Sequence, residues 1–445
     1  MLRLLLRPHR DTLRADATHA QKLFVALKVI PGAALSGARP PLALALVVDS
    51  SGSMRAPDSS ATGSETKLER ALRATEAVVG DARLVSGDLL CLIAFSDEAH
   101  IALPLSPLGD RRAARAALSK LAQRTGGTQL AKGLGAARDE LGRILQEGVA
   151  QRVLLLTDGQ AFDPDACRAV AAGLAQKNAS LVAIGLGDDY NEELLRDLAE
   201  IGRGRPYHLG EVGRLDEVFG WEVETSTREV VLGLRARVET APSAVLQSVT
   251  RVYPDLAEMK LEADAEANTV ALGNVVAGDY TVFVLELLIE GRVRPEGRSC
   301  LAHIELVGTA ATPGAPVAQA QSDVTVSFSS DERAAEQVDD EVLGYVEQRN
   351  VDRLVGNALR RAPTDPVGAR KSLQTALSIA HRVGNARATR MLQQSLDELS
   401  AQGKISAGTR KTVLLETRTR TVKTRSSDAL AEVPGDEEIQ RLTGA

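Results

Sequence analysis

Leu42 to Met54 reads LALALVVDSSGSM. The apolar run Leu42 to Val48 has no charged or amide residue, which predicts a strand buried on both faces. It ends on Asp49, Ser51 and Ser53 at alternate positions, and Gly52 turns the backbone where these oxygens appear. One carboxylate and two hydroxyls make half of an oxygen shell for a hard divalent cation, so the other half is expected from loops at neighbouring strand ends. Two stretches supply it. Arg124-Thr125-Gly126-Gly127-Thr128 precedes a helical segment, and Val153 to Gly159, VLLLTDG, is a second buried strand ending in Asp-Gly. The candidate metal ligands are therefore Asp49, Ser51, Ser53, Thr128 and Asp158.

Around these stretches the chain alternates strands with helices from about 41 to 224, the pattern of a doubly wound, mostly parallel α/β sheet. Strands are expected at 42–49, 88–95, 99–103, 152–157, 180–185 and 205–208. Helices are expected near 67–84, 110–122, 130–147, 163–177, 190–201 and 213–223, with Asp163-Pro164 and the pair Asp188-Asp189 as start signals. After Trp221 the alternation stops. Six strands without helices follow between 225 and 330, and two more, Leu2 to Leu6 and Lys22 to Ile30, precede residue 40. A lone pair of N-terminal strands needs partners, so one all-β sandwich built from residues 1–40 and 225–330 is predicted, with the α/β domain of 41–224 inserted into it. Gly308 to Gln321, rich in Ala, Pro and Gly, reads as a long sandwich loop. Residues 331–403 predict a small domain of three helices. In the tail, 404–445, alternating Thr and Arg over 409–425 suggests an edge strand, and the acidic end suggests disorder.

Asp-x-Ser-x-Ser, then Thr128, then Asp158, in this order and at these strand ends, resembles the von Willebrand factor A (VWA) domain with a complete metal-ion-dependent adhesion site (MIDAS). The resemblance implies a Rossmann-like fold and a bound Mg2+, with Mn2+ or Ca2+ as substitutes. It also implies that one coordination position stays open for an acidic residue of a partner protein. Strands, an A domain, more strands and C-terminal helices look like bacterial cytoplasmic A-domain proteins. Family members of that kind make AAA+ ATPases and kinase or phosphatase signalling systems plausible partner classes.

Composition narrows the alternatives. The chain has 445 residues, enough for two or three domains, with a net charge of -6 that argues against a nucleic-acid partner. Aromatic residues make up only 3% of the chain, so stacking platforms for bases or sugars are scarce. The cysteines, Cys91, Cys167 and Cys300, are far apart in apolar surroundings and read as buried free thiols, which favours a reducing compartment. Arg3 and Arg7 interrupt the N-terminal leucines short of a signal-peptide core, and no apolar run is long enough to span a bilayer. A cytoplasmic location is the expectation.

Catalysis finds little support. The chain has no phosphate-binding GxxxxGK[ST], no G-x-S-x-G and no H-E-x-x-H. Asp49 lacks the second carboxylate, two residues on, that an aspartyl-phosphate enzyme would carry; Ser51 stands there. The reading is a non-enzymatic, Mg2+-dependent adaptor that assembles a multiprotein complex. The alternatives are a scaffold whose metal only stabilises the fold, with partners held by the sandwich or helices, and, further off, a metal-dependent phosphohydrolase. Between Met54 and Lys67 a Ser- and Thr-rich segment borders the site, and Asp58 or Glu65 is a candidate for closing the open metal position. His100, His208 and His303 read as structural histidines.

Overall fold

The computed structural model describes residues 2–32, 35, 39–57, 65–109, 111–123, 125–145, 148–187, 189–209, 215–263, 267–311, 317–419 and 421–424. Leu42 to Asp49 form strand β4, every residue of it buried. It lies in the middle of a six-stranded sheet with β5 (Leu89–Phe95), β6 (Ala99–Pro107), β7 (Ala150–Thr157), β8 (Ala179–Leu186) and β9 (Arg203–Leu209), in the order β6-β5-β4-β7-β8-β9. Only the β5–β6 pair is antiparallel. Because side chains alternate along a strand, Ala43, Ala45 and Val47 join one core with helices α3 (Leu130–Leu141), α4 (Pro164–Gln176) and α5 (Glu192–Ile201). Leu42, Leu44, Leu46 and Val48 join the other, with α1 (Lys67–Gly80), α2 (Arg111–Leu121) and α6 (Leu215–Thr227). A strand covered on both faces has no polar side to show, which is why its sequence is continuously apolar.

The remaining strands form two sheets over a shared core. One holds β1 (Leu2–Pro8), β3 (Gln21–Pro31), β15 (Thr281–Ile289), β11 (Ala244–Tyr253) and β12 (Ala257–Met259). The other holds β13 (Leu261–Ala263), β14 (Asn268–Val276), β10 (Glu229–Thr240), β16 (Gly297–Ala310), β17 (Ala318–Ser329) and β2 (Thr12–Arg14). The N-terminal strands find their partners across the insertion: β3 pairs antiparallel with β15, from Gln21 opposite Ile289 to Val29 opposite Thr281. The α/β domain thus sits between β3 and β10, as the strand pattern predicts. Strand β2, only three residues long, adds parallel to β17 and carries too little pattern to be recognised in sequence.

Six buried charged side chains join the two parts. Arg152 at the start of β7 bonds Glu222 of α6 at 2.5 Å and also Glu229 of β10. Arg205 of β9 reaches Glu222 at 3.3 Å and Asp255 at 2.5 Å, and Asp255 also pairs with Arg251 of β11. Arg152, Arg205, Glu229, Arg251 and Asp255 also border a cleft of about 190 Å³ at the opposite end of the sheet from Asp49.

The C-terminal part contains α7 (Glu332–Glu336), α8 (Asp340–Arg361), α9 (Pro366–Arg382), α10 (Ala386–Gln402) and α11 (Ala407–Thr419). Asp365 caps α9 by accepting from Gly368 N, with Pro366 at the first helical position, and Gly403 ends α10 at φ +70°. Helix α11 corrects the edge strand expected over 409–425. Val413, Leu414 and Leu415 are buried in the core shared with α8 to α10 and the sheet, and that docking overrides the strand propensity of alternating threonines. The chain beyond 424 lies outside the described residues.

Three smaller expectations also change. Asn191, not Asp189, caps α5 by accepting from Leu194 N, while Asp188 is outside the described residues. Cys91 and Cys167 are buried, but Cys300 is exposed on β16. The expected loop 308–321 is shortened from both sides, since β16 runs to Ala310 and β17 starts at Ala318. Among the described residues no helix is long and apolar enough to cross a membrane.

Candidate metal centre

All five candidate ligands lie at the C-terminal edge of the α/β sheet. Asp49 ends β4, Ser51 immediately precedes and Ser53 lies within the 3-10 turn Gly52–Arg55, Asp158 follows β7, and Thr128 precedes α3. Asp49 and Asp158 are fully buried, and Ser51 and Thr128 nearly so. Ser53 is exposed, which leaves the site open on its side.

Hydrogen bonds knit the loops together. Ser51 Oγ and Ser53 Oγ are 3.1 Å apart, and Ser53 Oγ donates to Asp158 Oδ1 at 2.6 Å. Asp49 Oδ1 accepts from Ser51 N at 2.8 Å, and Asp49 Oδ2 accepts from Thr157 Oγ1 at 2.6 Å. Gly52 N donates to Gly126 O at 3.2 Å, which ties the serine turn to the threonine loop. Asp97 fixes that loop through Gly127 N, at 2.9 Å, and leaves no room for a side chain at Gly126, where a Cβ would fall 2.1 Å from Asp97 Oδ2. Thr128 itself lies against the Asp158 loop: a Cβ on Gly159 would fall 2.8 Å from Thr128 Oγ1. Thr157, Asp97 and Gly159 are supporting residues that the ligand pattern alone does not nominate.

Burial pushes the Asp49 carboxyl up to about 6, against the hydrogen bonds from Thr157 and Ser51, and the charge of Asp158 adds to the rise. Two buried carboxylates beside three hydroxyls form a donor set suited to a hard, oxygen-preferring cation, which would relieve this repulsion. A cage of three or more His, Cys, Asp or Glu side chains does not occur among the described residues. Hydroxyls are three of the five candidate donors, a composition that favours a hard cation over a soft one.

One neighbour was not legible in the sequence pattern. Lys67, the first residue of α1, places Nζ 2.7 Å from Asp158 Oδ2. By contrast Glu65, a candidate for closing the site, is held by Arg70 at 3.1 Å and Arg73 at 2.7 Å, and Asp58 lies outside the described residues. His208 is buried with Nδ1 2.7 Å from the Tyr190 hydroxyl, and the fold brings His303 to Asp323 at 2.6 Å, an acidic neighbour invisible in sequence spacing.

Comparison with known families agrees with this architecture. Residues 43–220 match the von Willebrand factor type A domain. The chain carries a VWA domain. Residues 340–423 match the Sll0103-like C-terminal alpha-helical domain, a match that takes in α11. A von Willebrand factor type A structure from Catenulispora acidiphila superposes with a TM-score of 0.79 at 18% identity, covering 94% of this chain and 97% of that one. The ArnB paralog VWA2 from Sulfolobus acidocaldarius superposes with a TM-score of 0.62 at 16% identity, covering 95% of this chain and 99% of that one. At such identities the likeness is one of fold, and it extends over the VWA domain and its flanking parts alike. No curated protein matches the chain significantly.

Proposed function

We propose that the chain is a non-enzymatic, Mg2+-dependent protein-binding module that engages an acidic residue of a partner through Asp49, Ser51, Ser53, Thr128 and Asp158 and so assembles a multiprotein complex. VWA domains are commonly protein-interaction modules. The observation that carries the reading is the convergence of two fully buried carboxylates and three hydroxyls at a sheet edge that stays open beside Ser53. Neutral hydroxyls leave a bound cation electrophilic enough to attract a further carboxylate. Mn2+ or Ca2+ would serve in place of Mg2+. An AAA+ ATPase or a kinase or phosphatase signalling system in a bacterial cytoplasm is the class of partner we favour.

The test is affinity capture from native lysate with the tagged chain, in Mg2+ and in EDTA, with a folded Asp158→Ala variant beside it. A partner held in Mg2+ and lost in both other arms supports the proposal. The same partner retained in all three arms removes the ion from recognition and moves the binding surface to the sandwich or the helices.

A further inference from the structure

The Lys67 ammonium lies on the buried Asp158 carboxylate at 2.7 Å, on the oxygen that Ser53 leaves free. Its place is fixed by backbone. Lys67 N donates to Ala56 O at 3.2 Å, and Pro57 bridges to Thr66. A capping box between Thr66 and Glu69 fixes the start of α1. The helix that carries Lys67 is thus fastened to the turn that carries Ser53. The side chain is only 17% exposed and lies under Gly187, where an added Cβ would come within 3.4 Å of Nζ. This is a held charge, not a solvated lysine that happens to point inward.

Its consequence follows from counting formal charges, on the reading that the site binds a divalent cation. Asp49 and Asp158 bring two negative charges and the ion brings two positive ones, so without Lys67 the loaded site would be neutral. With Lys67 it carries one net positive charge. A partner carboxylate then completes neutrality, whereas in a site lacking Lys67 it would create an excess negative charge.

We infer that Lys67 is a specificity-determining residue: a built-in counter-charge that weakens the site's hold on the free ion and strengthens the loaded site's preference for an anionic partner group. Ion and partner carboxylate are thereby coupled, each retained better when the other is present. In the ion-free protein the same lysine compensates Asp158, so the fold tolerates an empty site. By Coulomb's law with water-like screening, a unit charge paired to one of a divalent ion's carboxylate ligands changes the affinity for that ion by roughly tenfold.

The experiment titrates Mg2+ into the full-length chain and its Lys67→Met and Lys67→Arg variants by calorimetry, then titrates acetate into each Mg2+-saturated protein by NMR. Lys67→Met is expected to bind Mg2+ roughly tenfold more tightly and acetate several-fold more weakly, with Lys67→Arg close to the parent. Changes of opposite sign are the signature, because simple damage to the site would weaken both. Mg2+ should also raise the melting temperature of Lys67→Met more than that of the parent. If Lys67→Met does not fold, judged by Trp221 emission, Lys67→Gln takes its place with the same expectation. Unchanged or weaker Mg2+ binding by the uncharged variant, or equal acetate binding, overturns the inference while leaving the metal reading intact. Absence of Mg2+ binding in the parent and both variants overturns the metal reading and this inference together.

Discussion

Replacing Arg152 by Met should cost about 3–5 kcal/mol of stability, the range for removing one partner of a buried ion pair. Arg152 is 4% exposed and its guanidinium lies between Glu222 and Glu229, which are 0% and 2% exposed. Glu222 would keep the Tyr207 hydroxyl at 2.6 Å and Arg205 at 3.3 Å. Glu229 would keep the Asn274 amide at 2.8 Å, and burial already raises its carboxyl above the ordinary range with Arg152 in place. Most of the loss should therefore fall on Glu229, and Arg152→Met with Glu229→Gln should recover more than about 1 kcal/mol of it. The pH dependence has a definite sign. A carboxyl whose folded pKa exceeds its unfolded value binds more protons in the native state, so the deficit of Arg152→Met should shrink as pH falls from 7 toward 5. Urea unfolding followed by Trp221, the only tryptophan and the neighbour of Glu222, is a suitable assay. A loss below about 1 kcal/mol, or no recovery in the double variant, would refute the view that this network joins the VWA domain to the sandwich as a desolvated unit.

Other outcomes are equally specific. Gly159→Ala should displace Thr128, because the new methyl meets its hydroxyl at 2.8 Å, and weaken Mg2+ binding by about tenfold with little change in melting temperature; calorimetry checks both the affinity and its absence of effect elsewhere. Leu415→Ala should cost about 2–5 kcal/mol and raise amide exchange in α11 first, since this fully buried side chain docks that helix. His9 is lowered to about 4, chiefly by burial, with Arg10 adding to the effect. Its contribution is thus fully present above its ordinary 6.5 and lost as pH falls toward 4. His9→Asn, whose amide oxygen can still accept from Phe24 N, should flatten that part of the stability profile by up to about 2 kcal/mol in chemical denaturation.

Much of the fold is legible in the chain because burial on both faces leaves a strong mark. Leu42 to Val48 and Val153 to Leu156 read as central strands since neither face meets water, and Asp49 and Asp158 stand where these apolar runs end, at the C-terminal edge of the sheet. The insertion is legible through a deficit: β1 and β3 cannot stand alone, and β15 supplies their partner far along the chain. Helix α11 is hidden because its stability comes from burying Val413 and Leu415 against other elements, which local propensity does not register. Lys67 is hidden for a related reason. Its pairing with Asp158 depends on where α1 begins relative to the serine turn, and the sequence between them gives no spacing rule for that. The Arg152 network likewise joins residues 70 and 77 positions apart, through an arrangement of helix and sheet that only tertiary structure specifies.

The central claim, that these five oxygen donors form one divalent-cation site, is tested most directly by titrating Mg2+ into the chelator-treated full chain and into a folded Ser51→Ala, Thr128→Ala double variant. The account predicts saturable binding of one ion per chain that is abolished in the variant. Absence of binding in the parent, or equal binding by both proteins, would contradict it.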